Sequence, residues 1–406
     1  MKKKRQIALA VLSATVLVTM LISAGCAPKE EIVPAEEPLL VGRTLPLTGP
    51  YGETADLLNK GAKYWVERVN REGGLLGRPV KMILYDDAGS PDKQVSLLEK
   101  LITIDKVDFI LGGYPTMGIQ NQSPLAEKYG MVNISLGGSP TSFKEGFKYC
   151  FGLYQNAWGP VPMFDWIEST PEVRKDLKTM AILTMNNSIG LEARETCREW
   201  AEKMGIQVVV DDRYDLPLES ADAMMAKVKA SEADIFMSLS FFDDGVLQIR
   251  AAQLFDYQPK IFFQFIGAST PAFVEELGLV AEGTFSHAMA CSDCSFPRLG
   301  EIHAYWKEHY DADAEYAPVY FMLGYLYPQI LQIGIEGAGS YDQDAIRDYL
   351  KSHTITTVIG DITFRTDGWP NEVIAFNPQI INGNCVNVAQ PEYGTPREPL
   401  YPHPEW

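Results

Sequence analysis

Short apolar runs alternate with amphipathic stretches along the chain from Leu39 onward. After the first run, apolar residues recur at helical spacing and share one face: Leu58, Ala62, Trp65, Val66 and Val69. A glycine pair, Gly73-Gly74, then marks the end of this predicted helix. The same strand-then-helix pattern repeats, and repeated strand–helix–strand units are typical of a parallel sheet with helices on both faces.

The first part of this pattern predicts four strands, each followed by a helix or a loop. The predicted strands are Leu39–Leu47, Val80–Tyr85, Val107–Leu111 and Met131–Ser135. The predicted helices are Glu53–Arg71, Lys93–Ile104 and Ile119–Tyr129. The rhythm breaks between Tyr154 and Pro162 and then restarts, which predicts a second lobe.

The second part predicts another set of strands and helices with a longer helical tail. Its strands are Thr179–Thr184, Gln207–Val210, Ile235–Leu239 and Ile261–Phe265. Its helices are Gly190–Met204, Ala221–Ser231, Ile302–Tyr310, Val319–Ile335 and Gln343–Ser352. A terminal hairpin is predicted from Ile355–Phe364 and Glu372–Ile381. The fold class is therefore α/β, with two doubly wound parallel-sheet lobes.

The first 26 residues have the parts of an export signal. Four basic residues, Lys2 to Arg5, precede an apolar run from Ile7 to Ile22. Ser23-Ala24-Gly25-Cys26 follows and resembles a bacterial lipobox, in which the cysteine is acylated and becomes the new N-terminus. We predict a signal peptide at 1–25, lipidation of Cys26, a flexible tether at 26–38 and a location outside the cytoplasmic membrane, periplasmic or at the cell surface. An uncleaved membrane anchor is the alternative.

Charge and size narrow the class of protein. The first 25 residues hold four of the 35 basic residues and none of the 53 acidic ones, which leaves a formal charge of −22 on the rest. A surface this acidic repels phosphate backbones, so we expect no nucleic acid as partner. The chain beyond the signal is long for one core, which agrees with two lobes.

The cysteines leave several pairings open. If Cys26 carries lipid, an odd number remains: Cys150, Cys197, Cys291, Cys294 and Cys385. Cys291 and Cys294 have the spacing of a redox motif or of metal ligands, and His287 lies close before them. Because the segment offers no fourth ligand, we predict no metal site and favour a disulfide or a structural pair.

In open α/β sheets, ligands bind beyond the carboxyl ends of the strands. The candidate positions there are rich in glycine, hydroxyl and aromatic residues, and Thr116 and Ser139 each follow a glycine pair and precede a predicted helix. Backbone N–H groups at such a position, together with a hydroxyl donor, suit a small carboxylate. The alternative is that Ser139 only caps a helix and Thr116 only ends a turn.

Signals for an enzyme are weak. The chain has no Gly-x-Ser-x-Gly elbow, Walker loop or His-Glu-x-x-His motif. Asp86-Asp87 and Asp243-Asp244 are acidic pairs, but their positions at a strand end and at a helix start are more typical of capping or solvated groups. We predict no catalytic residues and no cofactor.

Several motifs together resemble the type I periplasmic binding proteins of the branched-chain amino acid and amide uptake systems. The resemblance rests on Leu45 to Gly52, Asn70 to Pro79, Tyr85 to Asp87, and Val358 to Phe364 followed by Asp367-Gly368. It implies two lobes that are joined by a three-stranded hinge and close around a ligand. It also implies docking on an ABC permease with its ATPase. Chain crossings between the lobes are expected near Ala157, His287 and Phe364.

The resemblance also implies domain bounds and site residues. We expect 39–157 plus 288–364 in the first lobe, 158–287 plus 365–390 in the second, and a proline-rich C-terminal strap at 391–406. In relatives that bind branched-chain amino acids, hydroxyls at the positions of Thr116 and Ser139 hold the ligand carboxylate. The predicted ligand-binding residues are Tyr51, Tyr114, Pro115, Thr116, Gly137, Gly138, Ser139, Ile189, Phe241 and Ile266.

Departures from the family pattern change the expected ligand. Ile189 and Phe241 stand where relatives place tyrosines, and Ile266 stands where they place the glutamate that binds the ligand ammonium. A buried ammonium without a partner costs roughly 2–5 kcal/mol, or ~30-fold or more in affinity. We therefore predict an aromatic or branched aliphatic acid without an α-amino group, bound by a monomeric receptor. The alternatives are a sensor that signals to a membrane partner and an extracytoplasmic enzyme on the same lobes.

Overall fold

The computed structural model describes residues 37–49, 51–143, 146–288, 296–314, 316–372, 375–388 and 396–406. Residues 38–406 form one unit with a large hydrophobic core in each lobe, the first and the second core, and a smaller third cluster in the first lobe. The predicted signal peptide, Cys26 and most of the tether lie outside the described residues, as do Cys291, Cys294 and the first part of the predicted strap. None of the described helices is long and apolar enough to span a bilayer.

The first lobe is built on a sheet of five parallel strands in the order β2-β1-β3-β4-β5. Its strands are β1 (Leu39–Leu45), β2 (Val80–Asp86), β3 (Phe109–Leu111), β4 (Asn133–Gly138) and β5 (Cys150–Gln155). Its helices are α1 (Gly52–Arg71), α2 (Pro91–Thr103) and α3 (Thr116–Tyr129). This arrangement confirms the predicted doubly wound pattern and adds β5, which the sequence pattern had missed.

Two glycines allow the closest helix contact of this lobe. A Cβ at Gly61 on α1 would lie 2.0 Å from the carbonyl oxygen of Phe321, and one at Gly324 would lie 2.1 Å from that of Leu58. Phe321 and Gly324 belong to a long helix from the later part of the chain, which packs along α1. Because no side chain separates the two backbones, the two helices are fixed close together.

The second lobe has a mixed sheet of seven strands in the order β14-β13-β10-β9-β8-β6-β7. Its strands are β6 (Thr179–Met185), β7 (Gln207–Tyr214), β8 (Ile235–Leu239), β9 (Ile261–Gln264), β10 (Phe285–Ser286), β13 (Gln379–Ile381) and β14 (Asn384–Val386). Its helices are α4 (Val161–Ser169), α5 (Pro171–Asp176), α6 (Ser188–Met204), α7 (Asp222–Ser231), α8 (Phe242–Leu254) and α9 (Pro271–Leu277). Strands β6 to β10 pair in parallel, whereas β13 is antiparallel to both of its neighbours.

The chain then returns to the first lobe before it finishes in the second. This return contains α10 (Leu299–His309), α11 (Val319–Ala338), α12 (Gln343–Ser352) and the antiparallel pair β11 (Ile355–Thr357) and β12 (Gly360–Ile362). The single terminal hairpin predicted from Ile355–Phe364 and Glu372–Ile381 is wrong. The first segment instead folds on itself as β11 with β12, because a tight turn follows Thr357. The second segment contains β13, which pairs with β14 beyond its predicted end through a tight turn after Ile381.

Three segments connect the lobes in the part of the chain that the structure describes. The first follows β5 through a 3₁₀ turn at Asn156–Trp158, and the second follows β10. Phe376 belongs to the first core and Ile380 to the second, so the third segment passes between the cores there, later than the expected position at Phe364. Trp369 accordingly packs against Phe143 of the first lobe, with ring centroids 4.8 Å apart.

The described end of the chain lies on the second lobe as an irregular segment. The His403 amide donates to the carbonyl oxygen of Lys260 at 2.8 Å, and the indole Nε1 of Trp406 donates to that of Tyr257 at 3.0 Å. The Leu400 amide donates to the Gln379 side chain at 2.7 Å. These contacts attach residues 396–406 to β13 and to the start of β9.

Candidate functional site

The carboxyl ends of the strands in the two lobes face each other across a narrow cavity and a wider cleft. The inner cavity has a volume of about 30 Å³. It is lined from both lobes by Tyr114, Pro115, Thr116, Leu136, Tyr154, Asn156, Ile189, Phe241, Ile266, Ser269, His287, Ala288, Val319, Tyr320 and Leu323. A volume of this size holds about one water molecule. The two lobes are therefore nearly in contact around this cavity.

The outer cleft is much larger, about 570 Å³, and continues from the same wall. Tyr114, Phe241 and Ile266 line both spaces. The remaining lining residues are Gly49, Tyr51, Gly52, Glu53, Thr54, Leu216, Pro217, Leu218, Phe242, Asp243, Asp244, Gly267 and Thr270. The three shared side chains thus form the partition between the inner cavity and the cleft.

Most of the residues predicted from the sequence meet at this place. Six of them line the inner cavity: Tyr114, Pro115, Thr116, Ile189, Phe241 and Ile266. Tyr51 lines the outer cleft. Gly137, Gly138 and Ser139 do not line either space but lie at the end of β4, behind Thr116. The structure therefore gathers these residues, while their roles in binding stay a prediction.

Thr116 is one of the hydroxyl residues that line the inner cavity. It is the first residue of α3, directly after Pro115, so the unpaired N–H groups of the first helical turn lie beside its side chain. No described residue forms a hydrogen bond with its hydroxyl. A hydroxyl and a helix N-terminus at one wall of a cavity are suited to an anion.

Two glycines keep the space behind Thr116 open. Gly138 has φ +81°, and a Cβ there would lie 2.0 Å from the Thr116 hydroxyl oxygen. Gly137 has φ +90°, and a Cβ there would lie 2.5 Å from the Trp369 ring. Both the backbone conformation and the close approach require glycine, so this strand end is tightly determined.

Ser139 is buried and has more than one partner. Its Oγ accepts a hydrogen bond from the Thr141 amide at 3.3 Å and so caps the 3₁₀ turn at Pro140–Ser142. It also donates to the Glu192 carboxylate on α6 of the second lobe. The capping interpretation of Ser139 is therefore confirmed, and the same hydroxyl bridges the two lobes.

Glu192 was missed by the sequence analysis. Its second carboxylate oxygen accepts a hydrogen bond from Asn156 Nδ2 at 3.1 Å, at the first crossing between the lobes. Burial raises the pKa of Glu192, while the bonds from Ser139 and Asn156 oppose that rise. Glu192 lies one helical turn after Ile189, so its position on the same face of α6 was the available signal.

Aromatic rings from both lobes form the partition. The Tyr51 ring lies edge-on to Tyr114, with centroids 6.3 Å apart, and to Phe241 of the second lobe at 5.7 Å. Tyr114 in turn lies 6.1 Å from Tyr320. Burial raises the pKa of Tyr114, so this side chain is a neutral phenol at physiological pH. The wall between the two spaces is therefore mainly apolar, with phenol groups at its edges.

His287 and Tyr154 close the back of the inner cavity. The two rings stack with centroids 4.5 Å apart, and Phe265 lies 5.4 Å from His287. Burial lowers the pKa of His287 to about 3, so the imidazole is neutral at physiological pH. Among the described residues that line the inner cavity, none therefore carries a charge at that pH.

The outer cleft is acidic. Asp244 accepts hydrogen bonds from the Phe241 amide at 3.0 Å and from the Tyr214 hydroxyl, which places it at the start of α8 as a cap. Burial raises the pKa of Asp244 to about 6. Burial also raises the pKa of Glu53 on the opposite lobe, and Glu275 and Asp243 contribute to that rise.

The other acidic pair stabilises turns of the first lobe. Asp86 accepts hydrogen bonds from the Thr48 hydroxyl at 2.7 Å and from the Ala88 amide at 2.8 Å. Asp87 accepts from the Thr44 hydroxyl at 2.9 Å. Both carboxylates are thus engaged by neighbouring groups at the end of β2, as the capping interpretation predicts.

A buried cation lies behind the wall of the first lobe. Arg43 on β1 is fully buried, and its Nε donates to the Gly112 carbonyl oxygen at 3.2 Å. Its two Nη atoms have no hydrogen-bond partner among the described residues, and its guanidinium lies 5.1 Å from the Tyr327 ring centroid. Burial lowers the pKa of Arg43 to about 10, so it remains charged at physiological pH.

Comparison with known proteins agrees with this geometry. A 24% identical relative, the leucine-, isoleucine-, valine-, threonine- and alanine-binding protein of Pseudomonas aeruginosa, aligns over 80% of this chain and 84% of its own length. The structure of a branched-chain amino acid transporter substrate-binding protein from Streptococcus pneumoniae, in complex with isoleucine, superimposes with a TM-score of 0.75 at 17% identity, covering 86% of this chain and 97% of that one.

A solute-binding protein of an ABC transporter from R. palustris, in complex with benzoate, has a TM-score of 0.74 at 16% identity and covers 89% of this chain and 99% of that one. These likenesses show a shared fold of two lobes with parallel sheets. The family described as periplasmic binding protein matches residues 38–376. The chain therefore belongs to the periplasmic binding protein family.

Proposed function

We propose that this protein is the solute receptor of an ABC importer and captures a small aromatic or branched aliphatic acid that lacks an α-amino group. Membership of the family implies a small-molecule ligand and a permease partner. The observation that carries the finer proposal is the inner cavity, which presents a hydroxyl and a helix N-terminus on one side and apolar side chains on the other.

The first lobe supplies what a carboxylate needs. Thr116 offers a hydroxyl without another partner, and the first turn of α3 offers N–H groups. Arg43 adds a buried positive charge behind this wall, because Tyr327 beneath its guanidinium shares a helix face with Tyr320 and Leu323 of the cavity. A charge that has lost its water acts over longer distances than one in solvent.

The second lobe supplies apolar contacts. Ile189 and Ile266 stand where the related amino acid receptors were expected to have polar partners, and both line the cavity. The neighbouring carboxylates of Glu192 and Asp244 already accept hydrogen bonds from the protein. The R. palustris structure in complex with benzoate shows that this fold takes a ligand without an amino group.

The volumes indicate how such a ligand fits. A cavity of about 30 Å³ does not hold a branched or aromatic acid, whereas the adjoining cleft of about 570 Å³ does. In this proposal the ligand carboxylate lies at Thr116, and the apolar part of the ligand extends past Tyr114 and Phe241. Entry of the ligand then requires the lobes to separate and close again.

Matched ligand pairs test this proposal. Leucine and 4-methyl-2-oxopentanoate differ only at the α-carbon, as do phenylalanine and phenylpyruvate, and benzoate is a third acid to include. We expect calorimetry on the purified soluble part of the chain to show the oxo acid of one pair bound ~30-fold or more tightly than its amino acid. A thermal shift screen gives the same order, since ligand at about 100 times its Kd adds ~2.7 kcal/mol of stability.

A variant pair locates the site. Thr116→Val removes the hydroxyl at the cavity, and we expect it to weaken binding of the acid by about tenfold. Thr103→Val is the matched control, because the Thr103 hydroxyl bonds only the Glu99 carbonyl oxygen in α2. Tighter binding of leucine than of its oxo acid, or equal affinities of the two variants, would contradict the proposal.

We also propose that Cys26 is lipidated and anchors the receptor to the membrane. The support is the basic start, the apolar run and the Ala24-Gly25-Cys26 sequence. Radiolabelled palmitate should enter the wild-type chain and be absent from Cys26→Ser. Equal labelling of both chains would refute the anchor.

A further inference from the structure

The Ser139 hydroxyl, which is expected to donate a hydrogen bond to the ligand, already donates to the Glu192 carboxylate of the second lobe. Ser139 Oγ donates to one oxygen of Glu192, and Asn156 donates to the other at 3.1 Å. Ser139 is fully buried, so its hydroxyl has few other acceptors available. These bonds join the end of β4 to α6 across the gap between the lobes.

The groups around Glu192 leave its charge uncompensated. Tyr154, which interacts with it from β5, is neutral at physiological pH because burial raises its pKa. His287, which stacks on Tyr154, is neutral because burial lowers its own pKa. Arg194 on the same helix points to Asp211 of β7, which it contacts through two nitrogens at 2.6 Å each. No basic side chain among the described residues neutralises Glu192.

A ligand carboxylate cannot bind beside ionised Glu192 unless the protonation of the pair changes. A ligand anion held by Thr116 lies close to Ser139, since Gly138 connects the two and leaves no side chain between them. Two ionised carboxylates that share a donor repel each other, and such a pair gains stability when it holds one proton in common.

We propose that Glu192 is the residue that makes ligand capture depend on a proton. The proposal rests on the proposed function above. When an acid binds, Glu192 takes one proton from solvent and donates it in a hydrogen bond to the ligand carboxylate, while Asn156 continues to donate to its other oxygen. The closed cavity then contains one negative charge shared by two carboxyl groups.

An amino acid would give a different signature. If its ammonium group paired with ionised Glu192 in place of the proton, its binding would take up no proton. Proton exchange therefore distinguishes the two ligand classes, independently of how tightly each one binds.

The experiment measures proton uptake with 4-methyl-2-oxopentanoate as the probe. Calorimetry in buffers of different ionisation enthalpy gives the number of protons bound per ligand, and we expect up to about one at a pH above the pKa of Glu192 in the free receptor and below that of the carboxyl pair in the complex. Because only the protonated receptor is competent, the apparent Kd rises by about tenfold for each pH unit above the pKa of Glu192.

Glu192→Gln and a control on the same helix sharpen the test. The glutamine keeps an acceptor for Ser139 but has no titratable proton, so binding of the acid should be independent of pH and should exceed that of the wild type by about tenfold for each pH unit above the pKa of Glu192. Glu199→Gln changes an exposed carboxylate on α6 and should behave as the wild type does.

Each outcome decides the question. Binding of the oxo acid without proton uptake overturns the role of Glu192 and leaves the proposed function intact. Binding of leucine without proton uptake, together with its loss in Glu192→Gln, assigns Glu192 to an ammonium instead and overturns the inference. Failure of every acid to bind refutes the proposed ligand class as well. If Glu192→Gln does not fold, the proton count of the wild type alone supports or overturns the proposal.

Discussion

The two walls of the cleft differ in chemistry although both lie at the ends of parallel strands. The first lobe contributes the Thr116 hydroxyl, the N-terminus of α3 and the buried cation of Arg43. The second contributes apolar side chains such as Ile266 and the carboxylates of Glu192 and Asp244. The donors proposed for the ligand carboxylate thus lie on the first lobe, and the proposed site takes groups from both walls.

The largest expected effect concerns the donor wall. Gly138→Ala forces a Cβ against Thr116 at a residue with φ +81°. We expect urea denaturation to show a loss of about 3–4 kcal/mol, from backbone strain plus overpacking. Binding of the acid probe should be lost at the same time, because Thr116 must move.

Gly205→Ala is the matched control for this substitution. Gly205 ends α6 with φ +70°, and a Cβ there meets nothing within 4 Å. Gly205→Ala should lower the free energy of unfolding by about 1 kcal/mol, from backbone strain alone, and leave binding intact. Equal losses in both variants would mean that the contact with Thr116 contributes nothing.

The next effect concerns the carboxylates of the second lobe. Burial raises the pKa of Asp244 to about 6 in the folded protein, above its ordinary value of 3.8. The stability that this group contributes is therefore present in full below about pH 4 and is lost as the pH rises through about 6, by up to about 3 kcal/mol. Asp244→Asn should remove this part of the pH dependence of the unfolding free energy.

Asp243→Asn supplies the comparison, since Asp243 is the exposed neighbour on α8. Denaturation at about pH 5 and at about pH 7.5 should give this variant nearly the pH difference of the wild type. An unchanged pH difference in Asp244→Asn would show that the buried carboxylate of the second lobe does not titrate in this range.

The smallest effect compares two buried arginines of the first lobe. Arg68 has partners in Glu72 and Gln332, the latter at 2.7 Å, whereas the Nη atoms of Arg43 have none among the described residues. Arg68→Met should therefore cost about 2 kcal/mol, and Arg43→Met should stay within about 1 kcal/mol of the wild type. Denaturant titration measures both, and a similar loss in the two would show that Arg43 is as well paired as Arg68.

Much of the site follows from local patterns. Strand ends are recognisable from apolar runs, and parallel strands bring their carboxyl ends to one edge, which is why Thr116, Phe241 and Ile266 were predicted to lie together, as they do around the inner cavity. Ser139 illustrates the limit of this reasoning, because its capping of a turn is a local property and its bond to Glu192 is not.

Contacts between the lobes could not be predicted from the sequence. The position of Glu192 beside Ser139 depends on how far the three connecting segments let the lobes approach, and these segments lie far apart along the chain. Arg43 escaped notice because it lies inside an apolar strand with both faces buried, where only the three-dimensional packing shows what its guanidinium touches. The third crossing was expected too early in the chain, because an apolar residue such as Trp369 can pack in either lobe and the sequence does not show which one.

The contact of α1 with α11 limits how such a receptor can be re-engineered. Since Gly61 and Gly324 place one main chain directly on the other, α11 can neither rotate nor slide without a collision. Tyr320 and Leu323 therefore stay at fixed positions, and new ligand preferences on that side have to come from exchanging these two side chains in place rather than from shifting the helix. A library that varies only the codons of Tyr320 and Leu323 would accordingly sample most of the ligand preferences available on this side of the cavity.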